Sequence, residues 1–128
     1  MPQLTFEGKI FSGKGTGKCF IDLPWVKKQI QSKLNFTPYS GTLNIRLTKE
    51  GKEQRKLLDA ARGIMVEPEK GYYLGVLFKA SMHEIACAVV IPKNPDYPSD
   101  VLEIISPEYL RGQLRLTDGS LVAITVTI

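Results

Sequence analysis

The sequence predicts a mainly β fold, a small barrel of about six to eight short strands with two or three short helices set between them. Stretches in which apolar and polar residues alternate recur along the chain, parted by turns rich in glycine and proline. Helical patterns are few and do not alternate regularly with the strands, which argues against a doubly wound parallel sheet. The 128 residues contain no internal repeat, low-complexity tract or linker, so one domain spanning 1–128 is expected.

Leu4, Phe6, Gly8 and Ile10 are spaced by two, with Thr5, Glu7 and Lys9 between them, as on a strand with one buried face. The strand ends in Ser12-Gly13-Lys14-Gly15-Thr16-Gly17-Lys18, and Cys19-Phe20-Ile21 reads as a short strand after it. Pro24 opens a helix in which Val26, Ile30 and Leu34 repeat every four residues, with Asp22 as its cap. Pro38 to Gly41 is a turn, and Thr42 to Leu47 alternates with Leu43, Ile45 and Leu47 inward. The charged stretch from Thr48 to Arg62 carries Leu57, Leu58 and Ala61 as a partial helical stripe. Strands are expected at Met65-Val66, Tyr72 to Lys79, Glu84 to Ile91 and Val101 to Ile105, the third being the most apolar and central. Pro107-Glu108 starts a helix bearing Tyr109, Leu110 and Leu114. After the turn Thr117 to Ser120, Leu121 to Val126 is the last strand.

Composition narrows the chemistry. Apolar residues make up 43% and charged residues 23%, the profile of an ordinary globular protein. Seventeen Lys and Arg against thirteen Asp and Glu leave a charge of +4, which favours an anionic ligand without demanding a nucleic acid. Cys19 and Cys87 lie far apart with no zinc-site spacing, and His83, the lone histidine, falls in a strand-like stretch. A metal hydrolase and a disulfide scaffold are thereby excluded. The longest apolar runs, such as Ala86 to Pro92, are too short to span a bilayer, and the N-terminus does not read as a signal peptide. A reducing cytoplasm is the expected location.

Three segments carry possible chemistry. Gly13, Gly15 and Gly17 would let backbone N–H groups approach an anion, with Lys14 and Lys18 adding charge. Gly8 to Lys14 matches the G-x-x-x-x-G-K spacing of a P-loop, but Gly15 stands where Ser or Thr should follow and residues 8 to 12 alternate as a strand. On a strand, Thr42 and Asn44 point the same way, so a hydroxyl and an amide oxygen could reach one hard cation, or simply bond locally. The third segment is the polar, proline-rich run from Pro92 to Asp100, followed by Glu103 inside an apolar strand. Glu103 is either a solvated outer residue or an acceptor facing a pocket. Arg111 pairs with an anion or with Glu108 on its own helix. Trp25, Tyr39, Tyr72 and Tyr73 either fill the core or stack on a flat ligand.

Taken in order, G-K-G-T-G-K-C-F, N-F-T-P-Y-S-G-T-L-N-I-R-L, A-V-V-I-P, V-L-E-I-I-S-P-E-Y-L-R and L-T-D-G-S-L-V resemble the archaeal-type CTP-dependent riboflavin kinases over nearly the whole chain. The distinctive blocks are F-x-P-Y-x-G-T-L-N and E-I-I-x-P-x-x-L-R; the similarity is weakest between Thr48 and Tyr73. The resemblance implies a cradle-loop (RIFT-like) barrel that phosphorylates riboflavin on its 5′-hydroxyl with CTP, giving FMN and CDP. By position it implies nucleotide contacts at Lys14, Gly15, Thr16, Gly17, Lys18 and Cys19 and at Glu108, Tyr109, Leu110 and Arg111. It implies Mg²⁺ on Thr42 and Asn44, and flavin at Glu103. Family members commonly carry a Thr in the loop before that Glu, where this chain reads Asn94-Pro95-Asp96-Tyr97; Asn94 and Tyr97 stand as substitutes. Cys19 stands where a Tyr is frequent.

Phosphoryl transfer relies on positioning and charge neutralisation, which suits a chain in which no residue stands out as a general base. Glu103 fills that role only in a pocket that raises its pKa. The expected partners are the flavin and the cytidine nucleotide, with no nucleic acid or membrane, and a monomer. The competing readings are a barrel that binds flavin or nucleotide without transfer, and a nucleic-acid-binding barrel.

Overall fold

The computed structural model describes residues 2–13 and 20–128. The elements that lie wholly within the described residues are, in order, β1 (Gln3–Phe11), α1 (Pro24–Leu34), β2 (Leu43–Leu47), α2 (Lys49–Ala60), β3 (Ile64–Val66), β4 (Gly75–Met82), β5 (Ile85–Pro92), β6 (Val101–Ile105), α3 (Leu110–Gln113) and β7 (Leu121–Thr127). All pairings are antiparallel, in the order β3-β4-β5-β6-β2-β1-β7. One edge of β4 is shared. Its first half pairs with β3 through Ile64↔Leu77, and its second half pairs with β7 through Ala80↔Val126 and Ser81↔Thr125. That second pairing closes β4-β5-β6-β2-β1-β7 into a six-stranded barrel and leaves β3 as an added strand.

The period-two alternation sorts side chains between the barrel interior and its outer face. Phe6, Ile10, Leu43, Ile45, Phe78, Val89, Leu102, Ile104 and Ile124 fill the interior. Leu77, Ala88, Val90 and Ile105 point outward, where Val26 and Ile30 of α1 cover them together with Ile21 and Val66. Residues Cys87 to Ile91 are therefore buried on both faces, which explains a continuous apolar run in an antiparallel strand. The same outer face continues onto β6 and β2. There it bears polar side chains, because Asn44 is paired with Glu103 and Arg46 with Val101 across the two strands.

Several expectations shift. Phe20 and Ile21 are helical, not strand, while Cys19 lies outside the described residues. Leu23, not Asp22, caps α1, with no side-chain bond, and Asp22 instead accepts from Ser40 Oγ at 3.0 Å. Thr48 is the cap that sequence reading missed, accepting from the Gly51 N–H at 3.1 Å at the start of α2. β4 begins at Gly75, not Tyr72, and runs on to Met82. His83 and Glu84 are not strand residues: both have positive φ (48° and 66°) and form the two-residue turn that joins β4 to β5. The helix expected from Pro107 starts at Leu110. No helix among the described residues is long and apolar enough to cross a membrane.

Candidate active site

Two cavities adjoin at Thr42, which lines both. The larger, about 760 Å³, lies on the outer barrel face beyond the edge of α1. Gly13, Asn44, Arg46, Glu103 and Val101 form its floor, Tyr72 and Tyr73 one wall, and Asn94, Tyr97 and Pro98 another. The smaller, about 230 Å³, is bounded by residues Tyr39 to Leu43 on one side and by Ser106 and Glu108 to Arg111 on the other.

Strand geometry puts the floor together. Thr42 immediately precedes β2, and Asn44 is two residues on, so both side chains share the outer face. Glu103, opposite Asn44, joins them: Thr42 Oγ1 donates to its Oε1 at 3.2 Å. Tyr97 Oη donates to Oε2 at 2.7 Å. Both carboxylate oxygens of Glu103 are thus occupied by hydroxyl donors, an arrangement that holds a carboxylate in place and orients its neighbours. Burial pushes the Tyr97 phenol above its usual 10.0, and the Glu103 charge and hydrogen bond push it further; the Arg55 cation opposes this in part. Tyr97 therefore remains an O–H donor.

Thr42 gives its proton to Glu103, so its lone pairs are free for another partner. Asn44 turns the nitrogen end of its carboxamide toward Gly13; a Cβ there would lie 2.6 Å from Nδ2 and 3.7 Å from Oδ1. A hydroxyl and a carboxamide oxygen beside a carboxylate make a hard, oxygen-only donor set, which fits a small divalent cation that keeps waters and phosphate oxygens as further ligands. Among the described residues there is no cluster of three or more His, Cys, Asp or Glu to make a closed metal cage.

At the smaller cavity, Tyr39 and Tyr109 stack with centroids 4.9 Å apart. Arg111 does not pair with Glu108, as its spacing suggested; Glu108 accepts from Gln113 Nε2 at 3.2 Å. Its guanidinium bonds Asp118 at 2.8 Å and reaches Phe11 O at 3.3 Å and Ser12 Oγ at 3.4 Å. Ser12 Oγ in turn donates to Asp118 at 2.9 Å. The bond from Arg111, then those from Ser12, hold the Asp118 carboxyl below its usual 3.8. Through these bonds α3 is tied to the end of β1, from which the glycine-rich segment departs. Lys14, Gly15, Thr16, Gly17, Lys18 and Cys19 lie outside the described residues.

The aromatic residues divide. Trp25 meets Phe20 and Tyr72 edge-on, the Trp25 and Tyr72 centroids 5.2 Å apart, and packs outside the barrel interior, while Phe20 and Tyr72 line the larger cavity. Arg46 lies over the Phe11 ring at 4.5 Å and bonds Asp100 at 3.2 Å, closing another side. Asn94 lines the cavity while its Oδ1 accepts from the Asp96 N–H at 2.9 Å. Sequence reasoning missed Arg55, Asp118 and the Asp22–Ser40 bond. Only Arg55 left a trace: it stands three residues before Leu58 and four after Gly51, on the buried face of α2.

The family model for CTP-dependent riboflavin kinases, described as "Domain of unknown function DUF120", matches residues 10–126. A protein of Archaeoglobus fulgidus named riboflavin kinase is 40% identical over 129 residues, covering 98% of this chain and 55% of that protein. One of Methanosarcina barkeri is 38% identical, covering 94% and 56%. One of Sulfurisphaera tokodaii is 39% identical, covering 96% of this chain and 95% of that protein. The chain thus spans little more than half the length of the first two relatives and nearly all of the third. Barrel, paired cavities and the matched residues agree: the chain belongs to the CTP-dependent riboflavin kinase family.

Proposed function

We propose that this chain transfers the γ-phosphoryl group of CTP to the ribityl 5′-hydroxyl of riboflavin, giving FMN and CDP. The observation that carries the reading is the meeting of two unlike cavities at one hydroxyl, Thr42. The larger is walled by tyrosines and apolar strand residues, as a flat tricyclic ring requires, and ends in polar Asn44, Glu103 and Tyr97. The smaller is bordered by Arg111 and a stacked tyrosine pair, which suits a nucleotide. A reaction that passes a phosphoryl group between two bound molecules needs such adjacency, and holding them in line supplies most of the acceleration.

Thr42 and Asn44 would hold Mg²⁺ by their oxygens, and the ion would supply charge neutralisation on the phosphates. Glu103 holds Thr42 and borders the flavin. The residues from Lys14 to Lys18, two lysines and two glycines among them, and Cys19 are assigned to the nucleotide by the resemblance, and their lysine charge and glycine backbone suit phosphates. A second reading, a barrel that binds the same ligands without transfer, is motivated by Pro95 and Cys19, where the chain departs from the family pattern.

The deciding experiment incubates the protein with riboflavin, CTP and Mg²⁺ and separates FMN by chromatography. FMN formed faster with CTP than with ATP supports the reading; flavin binding without FMN supports the second. Thr42→Ala with Asn44→Ala should lower turnover by about a thousandfold or more while the melting temperature changes little.

A further inference from the structure

We propose that Arg55 is a positioning residue for this site: from α2 it holds Tyr97 against Glu103 and, through Glu103, sets the Thr42 hydroxyl that the two cavities share. The proposal rests on the reading above that flavin occupies the larger cavity. Arg55 is only 4% exposed, although the segment around it is among the most charged in the chain. Its Nη1 donates to Val101 O at 2.6 Å and to Ser99 O at 3.5 Å, and its Nε to Asp59 at 3.1 Å. The guanidinium carbon lies 5.8 Å from the centre of the Tyr97 ring.

One buried cation thus grips the end of the loop between β5 and β6 at Ser99 O and the Tyr97 ring, and the first residue of β6 at Val101 O. The loop cannot set Tyr97 alone. Its ends are pinned to the barrel, Lys93 N–H to Leu74 O at 2.8 Å and Leu47 N–H to Asp100 O at 2.7 Å, with Arg46 on the Asp100 carboxylate. Between those ends the backbone bonds are local, Asp96 N–H to Asn94 Oδ1 and Tyr97 N–H to Asn94 O at 3.0 Å, so Tyr97 is aimed by its ring contact with Arg55 and its bond to Glu103. From Arg55 the contacts run without a break: cation to Tyr97 ring, Tyr97 Oη to Glu103 Oε2, Glu103 Oε1 to Thr42 Oγ1. A buried arginine is costly to desolvate, and an apolar residue would fill this helix position with less penalty, so packing alone does not account for it.

The test compares Arg55→Met, Arg55→Lys, Tyr97→Phe and the Arg55→Met/Tyr97→Phe double variant. Each melting curve is recorded first. Arg55→Met and Tyr97→Phe should each lower kcat/KM for riboflavin about tenfold, the worth of one hydrogen bond to a charged group, with a much smaller rise in the KM for CTP, felt through Thr42. Arg55→Lys, which keeps a cation beneath the ring, should recover most of the loss. The double variant should lose no more than the worse single, because the two residues act through one chain of contacts. Amide exchange across residues 94–100 should speed up in Arg55→Met and remain slow in Tyr97→Phe.

Wild-type kinetics in a folded Arg55→Met protein, additive losses in the double variant, or an equal rise in the KM for CTP would overturn the proposal. Should Arg55→Met fail to fold, Arg55→Gln, which removes the cation but keeps a polar group, completes the same cycle with Tyr97→Phe. A wild-type protein that forms no FMN would remove the kinase reading, and exchange across 94–100 would then decide the positioning claim by itself.

Discussion

Gly13 is the last described residue before the glycine-rich segment, and its place is set by Asn44. A methyl group added there would come within 2.6 Å of the Asn44 carboxamide nitrogen, the movable end of a side chain, with no backbone in the way. Gly13→Ala should therefore fold normally, its melting temperature within about 3 °C of the wild type. On the proposed function, in which Asn44 would hold Mg²⁺, turning Asn44 should raise the Mg²⁺ concentration needed for half-maximal turnover about tenfold, read from a metal titration; an unchanged titration would remove Asn44 from that role. Asp118 works differently. Arg111 and Ser12 hold its carboxyl below 3.8, so its ionised form stabilises the folded state at every pH above that value, and the stabilisation is lost as pH falls through the lower folded value. Asp118→Asn should melt below the wild type at pH 7, and the gap should close toward pH 3. Because Asp118 is exposed, 1 M salt should narrow the gap at pH 7 as well. Thermal melts at the two pH values and two salt levels check both signs. Cys87 completes the residue scale: burial raises its thiol to about 12, which makes it an inert part of the core.

At the scale of elements, β1 shows what was legible. Its alternation located the strand, its inward residues and the glycine among them, and it ruled out a P-loop over the same residues. The reason Gly8 is glycine was not legible. It pairs on both sides, with Leu47 and Val122, and an added Cβ would sit 2.3 Å from Arg46 O and 2.6 Å from a methyl of Ile45. Gly8→Ala must part β1 from β2, so a loss of about 2–3 kcal/mol is expected, with a melting point lower by roughly 10 °C. Denaturant unfolding measures it. The turn at His83-Glu84 was illegible because neither residue carries the Asn-Gly or Asp-Gly signal for paired positive φ, and strand pairing imposes the conformation. The site divides along the same line. Thr42 and Asn44 were readable because period two places neighbours i and i+2 on one face. Arg55 with Val101, and Ser12 with Asp118, were not, because 46 and 106 residues separate the partners and only barrel closure joins them.

In the whole molecule, closure of the barrel sets the two cavities back to back and makes them share parts. Thr42 lines both, and Arg111 at the smaller cavity bonds Phe11 O and Ser12 Oγ, two residues that line the larger. Ligands placed on either side therefore press on the same few atoms, and occupation of one cavity should stiffen the wall of the other. On the proposed function, riboflavin and CDP with Mg²⁺ form a pair that cannot react, so their effects can be read at equilibrium. Each alone, at about 100 times its dissociation constant, should add roughly 2.7 kcal/mol of stability. Together they should add more than the sum, because each raises the affinity for the other by the same factor, here expected to be about tenfold. Thr42→Val, which keeps the shape of the wall but breaks its bond to Glu103, should leave the flavin shift in place and bring the pair back toward additivity. Thermal shifts for the four ligand combinations, with calorimetric affinities in both orders of addition, measure the coupling. Strict additivity in the wild type would mean that the cavities are neighbours that do not communicate.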